Sequence, residues 1–111
     1  MHREYVVAWI VLILAGLFEV AWAFLMKSSE GFTKLWPSVG TIGFMIVSFG
    51  LLSFAMKSLP LGTAYAIWTG IGALGAVIIG IIAFHEPATA PRLIFAGLLL
   101  VGIVGLELTS T

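Results

Sequence analysis

Long apolar stretches separated by short polar segments dominate the pattern of this chain. The apolar stretches run over residues 5–26, 35–56, 61–84 and 92–109. A helix of about 20 apolar residues is long enough to cross the hydrocarbon core of a bilayer. The pattern therefore predicts an all-α integral membrane protein, with four transmembrane helices per subunit in a single domain over residues 1–111.

The polar segments between the spans are short, and they contain the helix-breaking residues Gly31, Pro60 and Pro87. Short connections of this kind join antiparallel neighbours in helix bundles. We therefore expect consecutive helices to lie side by side and to cross the membrane in alternating directions.

Composition supports a membrane protein, because 61% of the residues are hydrophobic and 9% are charged. Soluble domains carry about 25% charged residues. Net charge is zero and no basic patch occurs, so nucleic acid is not an expected partner. His85-Glu86 lacks the second histidine of a zinc protease motif. We predict no metal, no cofactor and no enzymatic activity.

The basic residues are divided almost evenly between the two ends of the spans. Arg3 and Lys57 fall on one side of the membrane, and Lys27, Lys34 and Arg92 fall on the other. Membrane orientation follows the side that carries more basic residues, so this bias is weak. Insertion in both orientations, with antiparallel pairing of copies, and insertion in one orientation are both compatible with the charges.

Glu19 is the most informative residue, because it is an acid inside the first apolar stretch. At a rise of about 1.5 Å per residue, it lies roughly 10 Å from the Met26 end of the span. A charge at that depth costs roughly 2.5–3.5 kcal/mol and normally faces a bundle interior or a cavity where it has a function. The alternative is a neutral carboxyl group held by a local hydrogen bond.

Polar and aromatic groups from three helices are candidates to surround Glu19. They are Trp22, Ser48, Tyr65 and Trp68, and Gly16 shares the face of Glu19 on the first helix. Trp, Tyr and Ser side chains can donate hydrogen bonds to a carboxylate, and aromatic rings attract cations. For Tyr65 and Trp68, the alternative is an aromatic belt at the membrane interface.

Glycine is concentrated in the third and fourth spans. Gly70 and Gly72, in the middle of the third span, either permit a bend or allow close helix packing. Gly97, Val101 and Gly105 share a stripe on the fourth span, which predicts a helix–helix contact between subunits.

Two copies of the chain would bring two Glu19 carboxylates to one central site. Such a coupled pair can hold protons or an organic cation, but not both fully. Competition at one site, with access from one side at a time, is sufficient for antiport. A proton-conducting subunit of a rotor ring and a purely structural membrane protein are alternatives; four spans and the aromatic cluster disfavour the first, and Glu19 disfavours the second.

Three stretches carry a resemblance to a known family. They are FEVAWA at 18–23, GFTKLWPS at 31–38 and PLGTAYAIWTGIG at 60–72. Together they resemble the small multidrug resistance family, and the similarity covers about residues 8–110. Trp22 and Ser48 fit its guanidinium-exporter subtype.

The resemblance implies an antiparallel, dual-topology homodimer in the bacterial inner (plasma) membrane that exchanges guanidinium for protons. It implies that Glu19 binds both substrate and proton, that Ser48 and Trp22 hydrogen-bond its carboxylate, that Trp68 lines the site and that Tyr65 acts as a switch between the two acids. The Gly70–Gly72 segment would be a helix kink, and the fourth span would be the dimerisation arm.

The chain departs from the subtype at Glu107, where a basic residue is expected, and in an N-terminal extension over residues 1–6. An exporter of hydrophobic quaternary ammonium cations with broad specificity is the alternative function. Those cations lack N–H donors and favour a looser aromatic cage.

Overall fold

The computed structural model describes residues 2–109, and these residues form four α-helices. The helices are α1 (His2–Ser28), α2 (Leu35–Ala55), α3 (Leu61–Ala83) and α4 (Ala90–Thr109). Each is long and apolar enough to span a membrane. The predicted all-helical fold with four helices capable of spanning a membrane is confirmed, and the antiparallel homodimer stays a prediction. Residues 1, 110 and 111 of the predicted domain lie outside the described part of the chain.

The turn between α1 and α2 is organised around the buried side chain of Ser29. Its hydroxyl donates to the Met26 carbonyl at 2.7 Å and accepts from the Phe32 N–H at 3.0 Å. Positive φ angles follow at Glu30 (49°), Gly31 (75°) and Phe32 (64°). The serine hydroxyl bonds the free Met26 carbonyl at the end of α1. The left-handed residues turn the chain back so that the N–H groups of Thr33 and Lys34 reach the Ser29 carbonyl. The chain can therefore reverse direction within a short turn.

The fourth helix begins at Ala90, before the predicted start at Arg92. Pro91 lies in its first turn, where the missing N–H has no helical partner to lose. The Leu93 N–H already donates to the Thr89 carbonyl at 3.0 Å. The prediction placed the helix start at the first residue of the apolar stretch. The helix in the structure begins two residues earlier, within the polar loop.

The core lies where α1, α2 and α3 meet, in the half of the bundle nearest the α2–α3 turn. Its buried apolar residues are Ala8, Leu12, Ala15, Leu52, Ala55, Leu59, Ala64, Ile67 and Trp68. Within the described residues, α4 packs on α3 alone and has no buried residue. Large apolar side chains are exposed on all four helices, as expected for surfaces that face lipid or a second subunit.

Glycine allows α1 and α3 to approach closely along a line that we call the α1–α3 seam. A Cβ atom built on Gly16 would lie 2.7 Å from Cγ2 of Ile71, and one built on Gly75 would overlap the Val20 side chain. A side chain at either position requires a shift of the neighbouring Ile71 or Val20 side chain or of the helices themselves. Small residues permit this kind of close backbone approach in membrane helices.

We predict that Gly75→Ala destabilises the protein by about 1–3 kcal/mol, because the new methyl group overpacks the seam against Val20. Gly62→Ala on the same helix is the matched control, since a Cβ atom there meets nothing within 4 Å. Unfolding of both variants in lipid micelles by denaturant measures the difference. Equal stability of the two variants would contradict the close packing described for the seam.

Candidate functional site

The Glu19 side chain enters the α1–α3 seam and packs against Gly72. A Cβ atom built on Gly72 would overlap the Glu19 carboxylate. Glu19 Oε1 is buried and has no hydrogen-bond partner among the described residues. A buried carboxylate oxygen without a donor is costly, so this atom is available to a proton, a bound cation or a second subunit.

The Trp22 side chain lies one turn from Glu19 on α1 and also carries a buried polar atom without a partner. Its indole Nε1 makes no hydrogen bond within the described residues. The ring packs edge-on against Phe49 of α2, with centroids 6.4 Å apart. The expected bond from Trp22 to the Glu19 carboxylate is therefore absent in this conformation, and both groups remain available.

Ser48 connects α2 to the other two helices of the site, but through a different partner from the expected one. Its buried hydroxyl donates to the Ala15 carbonyl at 2.7 Å and accepts from Trp68 Nε1 at 3.0 Å. A serine hydroxyl has one proton to donate. In this conformation the hydroxyl directs its proton to the Ala15 carbonyl, so the expected donation to Glu19 does not occur.

Ser48 is connected to Glu19 through the backbone of α1, because both bond to the Ala15 carbonyl. In an α-helix, the carbonyl of Ala15 also accepts the backbone N–H of Glu19, one turn later. The hydrogen bonds of Ser48 and Trp68 therefore fix the helical turn that carries Glu19, while they leave its carboxylate unbonded. No sequence pattern identifies a backbone carbonyl as the acceptor, so the sequence could not have predicted this bond.

An aromatic row extends from Trp22 across α2 to α3. Phe49 lies 5.6 Å from Trp68, and Trp68 lies 5.6 Å from Tyr65, measured between ring centroids. Tyr65 is 53% exposed and ends the row. Phe49 was not among the sequence candidates; its place directly after Ser48 is the signal that could have identified it.

The glycines of α3 pack against two different helices. Gly70 faces α4, because a Cβ atom there would lie 2.8 Å from Cγ1 of Ile103, whereas Gly72 faces α1 and Glu19. Helix α3 is continuous through both positions. Close packing accounts for both glycines in this conformation, and the kink stays a prediction.

The predicted stripe on α4 has no contact partner in the chain. Val101 is 67% exposed, and a Cβ atom built on Gly97 or Gly105 would meet no atom within 4 Å. The space beside these residues is open to a second subunit, and the dimer contact stays a prediction.

The sequence model of the family described as Small Multidrug Resistance protein matches residues 7–99. The chain belongs to this family. The resemblance inferred from its motifs is confirmed, and the protein is accordingly a membrane transport protein.

Curated relatives of this family member carry the name guanidinium exporter. The protein of Citrobacter freundii is 55% identical over 103 residues, which cover 93% of this chain and 98% of the relative. The protein of Proteus vulgaris is 56% identical, with 93% of this chain and 99% of the relative covered. The protein of Salmonella typhimurium strain LT2 is 54% identical, with 93% and 98% covered.

We predict that Ser48→Ala lowers the free energy of unfolding by about 1–3 kcal/mol, because it leaves the buried Trp68 N–H without an acceptor. Ser53→Ala, at an exposed position of α2, is the matched control and should be neutral. Denaturant unfolding followed by tryptophan fluorescence measures both variants. If the two serine variants are equally stable, the Ser48–Trp68 hydrogen bond contributes nothing to the fold.

Proposed function

We propose that this protein exports guanidinium in exchange for protons, and that the site consists of Glu19 from two antiparallel copies of the chain. The observation that carries the proposal is the buried Glu19 Oε1, which has no hydrogen-bond partner in the described residues. The names of the curated relatives support guanidinium as the substrate.

Guanidinium suits such a site because it is planar and presents parallel N–H donors that a carboxylate can accept in pairs. The Trp22 N–H lies one turn away on α1 and has no partner in the described residues, so it can donate to a carboxylate and fix its orientation. The ring faces of the aromatic row attract the positive charge. Glu19 supplies the acceptors, and Trp22 and Trp68 shape the surroundings.

Coupling to protons follows from competition for the same carboxylates. A protonated Glu19 loses the charge that binds the cation, and a cation held by both acids disfavours their protonation. If the site opens to one side of the membrane at a time, protons entering on one side drive the cation out on the other. We place this exchange in the bacterial inner membrane, where an inward proton gradient is available.

The second copy is part of the proposal because one chain supplies a single membrane-embedded acid. The open stripe of Gly97, Val101 and Gly105 on α4 provides a surface where two copies can pack. The nearly even division of basic residues permits opposite insertion of the two copies. In such a dimer, Tyr65 at the end of the aromatic row would be the switch between the two acids.

We predict that Glu19→Gln abolishes proton-driven guanidinium exchange, because the amide keeps the shape of the side chain and loses both charge and titration. The measurement is guanidinium-dependent proton flux in proteoliposomes. Glu4→Gln is the control, since Glu4 is an exposed acid on the same helix and should leave exchange unchanged. Flux retained in the Glu19 variant would disprove the proposed site.

We predict that Trp22→Phe weakens guanidinium binding about tenfold, the value of one hydrogen bond to a charged group. Hydrophobic quaternary ammonium ions should lose less, because they have no N–H donors and depend on ring faces rather than on a fixed carboxylate. The ratio of guanidinium to tetrapropylammonium transport in wild type and variant tests this. An unchanged ratio would favour the alternative, a multidrug exporter of broad specificity.

A further inference from the structure

A cavity of about 140 Å³ lies in the α1–α3 seam on the side of Glu19 that faces the α3–α4 loop. It is much larger than the roughly 10–15 Å³ that one water molecule requires. Among the residues that line it are Ala23, Phe24, Lys27, Gly80, Phe84 and Glu86. On α1 the cavity lining runs from Val20, directly after Glu19, to Lys27 at the polar end of the helix, so the cavity lies between the acid and that end of the bundle.

The Glu86 carboxylate is held at this cavity by the end of α3. The Glu86 N–H donates to the Gly80 carbonyl at 3.0 Å, and a Cβ atom built on Gly80 would overlap the Glu86 carboxylate. Glycine at this position therefore lets the acid lie directly against the helix. His85, immediately before Glu86, adopts a positive φ of 56°, a conformation that is uncommon for residues other than glycine.

The partner of Glu86 is itself a guanidinium group, the head of Arg92. A single contact joins Arg92 Nη2 to Glu86 Oε1 at 3.2 Å, and Arg92 Nη1 donates to the Pro87 carbonyl at 3.1 Å. The two side chains are 33% and 41% exposed. A carboxylate and a guanidinium can form two parallel hydrogen bonds. This single, half-exposed contact therefore uses only one of the two carboxylate oxygens of Glu86.

We propose that Glu86 is a second, outer cation site, at which a free guanidinium-type cation exchanges with the side chain of Arg92. The proposal rests on the function proposed above, because the cation must be the transported one. A free guanidinium ion has the same donors as the Arg92 head and is not tethered, so it can approach Glu86 in the bidentate geometry. The rings of Phe24 and Phe84, with centroids 5.5 Å apart, border the same cavity.

The charges around the cavity make this outer site weaker than the Glu19 site. Lys27 Nζ lies 6.0 Å from the centroid of the Phe84 ring, so Glu86 shares its surroundings with two cationic side chains. An entering cation must displace Arg92 and is repelled by Lys27. Glu86 is thus a site of brief occupancy that captures cations and passes them on. In the antiparallel dimer, each face of the membrane would have one such site.

The test compares two variants that break the same ion pair from opposite sides, Glu86→Gln and Arg92→Gln. Guanidinium exchange is measured in proteoliposomes, at guanidinium concentrations far below saturation and at saturation. Glu86→Gln should lower the rate at low guanidinium by roughly two- to fivefold, the range of a half-exposed charge pair. Arg92→Gln should raise it by a similar factor, because the competing guanidinium group is gone. Rates at saturation should stay the same.

The double variant Glu86→Gln/Arg92→Gln should behave like Glu86→Gln alone. Glu30→Gln is the matched control. Glu30 is an exposed acid at the same end of the bundle as Glu86; it pairs with Lys34 at 2.8 Å and does not line this cavity. The hydrogen bond and the charge of Lys34 lower the pKa of Glu30, so this acid is ionised at neutral pH like a typical surface carboxylate.

A purely structural ion pair gives a different result, in which both single variants lower the rate or neither changes it relative to Glu30→Gln. Either result overturns the outer site and leaves the function proposed for Glu19 intact. If Glu86→Gln does not assemble, Arg92→Gln and Glu86→Asp decide the question: Arg92→Gln must still raise the rate and Glu86→Asp must keep it near wild type. Loss of the Glu19 dependence of exchange would instead overturn the proposed function itself.

Discussion

The close contact between α1 and α3 is the constraint on which the rest of the site depends. Gly16, Gly72 and Gly75 remove side-chain volume along the seam, so that the helices approach closely and the Glu19 carboxylate lies against the backbone of α3. A charged group at this depth would be costly if it faced lipid. The seam instead holds the acid inside the protein, with Oε1 buried and unbonded. The glycines thus determine where the acid lies. A larger residue at any of the three positions would collide with a side chain across the seam.

The site combines a fixed backbone with a free functional group. Ser48 and Trp68 direct their hydrogen bonds to the Ala15 carbonyl and to each other, which fixes the turn of α1 that carries the acid. Neither uses the Glu19 carboxylate. Buried polar networks of this kind are costly to break, so they hold the geometry firmly. Glu19 Oε1 and the Trp22 N–H are left without partners in the described residues, as the proposed binding site requires.

The two ends of the bundle differ in packing: one contains the buried core and the other contains the cavity. The buried core lies on the side of the α2–α3 turn, whereas the described cavity, Glu86 and its partner Arg92 lie at the opposite end of the seam. The packed half holds α1, α2 and α3 together through its buried apolar residues. Helix α4 adds little to this core, since it packs only on α3 within the described residues, and its exposed outer face is available to a second copy.

The sequence by itself determined the four helices and their approximate ends, and it placed one acid, Glu19, inside the first apolar stretch. The length and polarity of each stretch are local properties, and they decide whether a helix can span a bilayer. The tertiary structure decided that Ser48 bonds the Ala15 carbonyl, that Gly70 and Gly72 pack against different helices, and that Phe49 joins the aromatic row. Helical periodicity defines the faces of each helix but not which faces meet. A hydrogen bond forms only where donor and acceptor from two helices come within about 3 Å of each other, and that separation depends on packing.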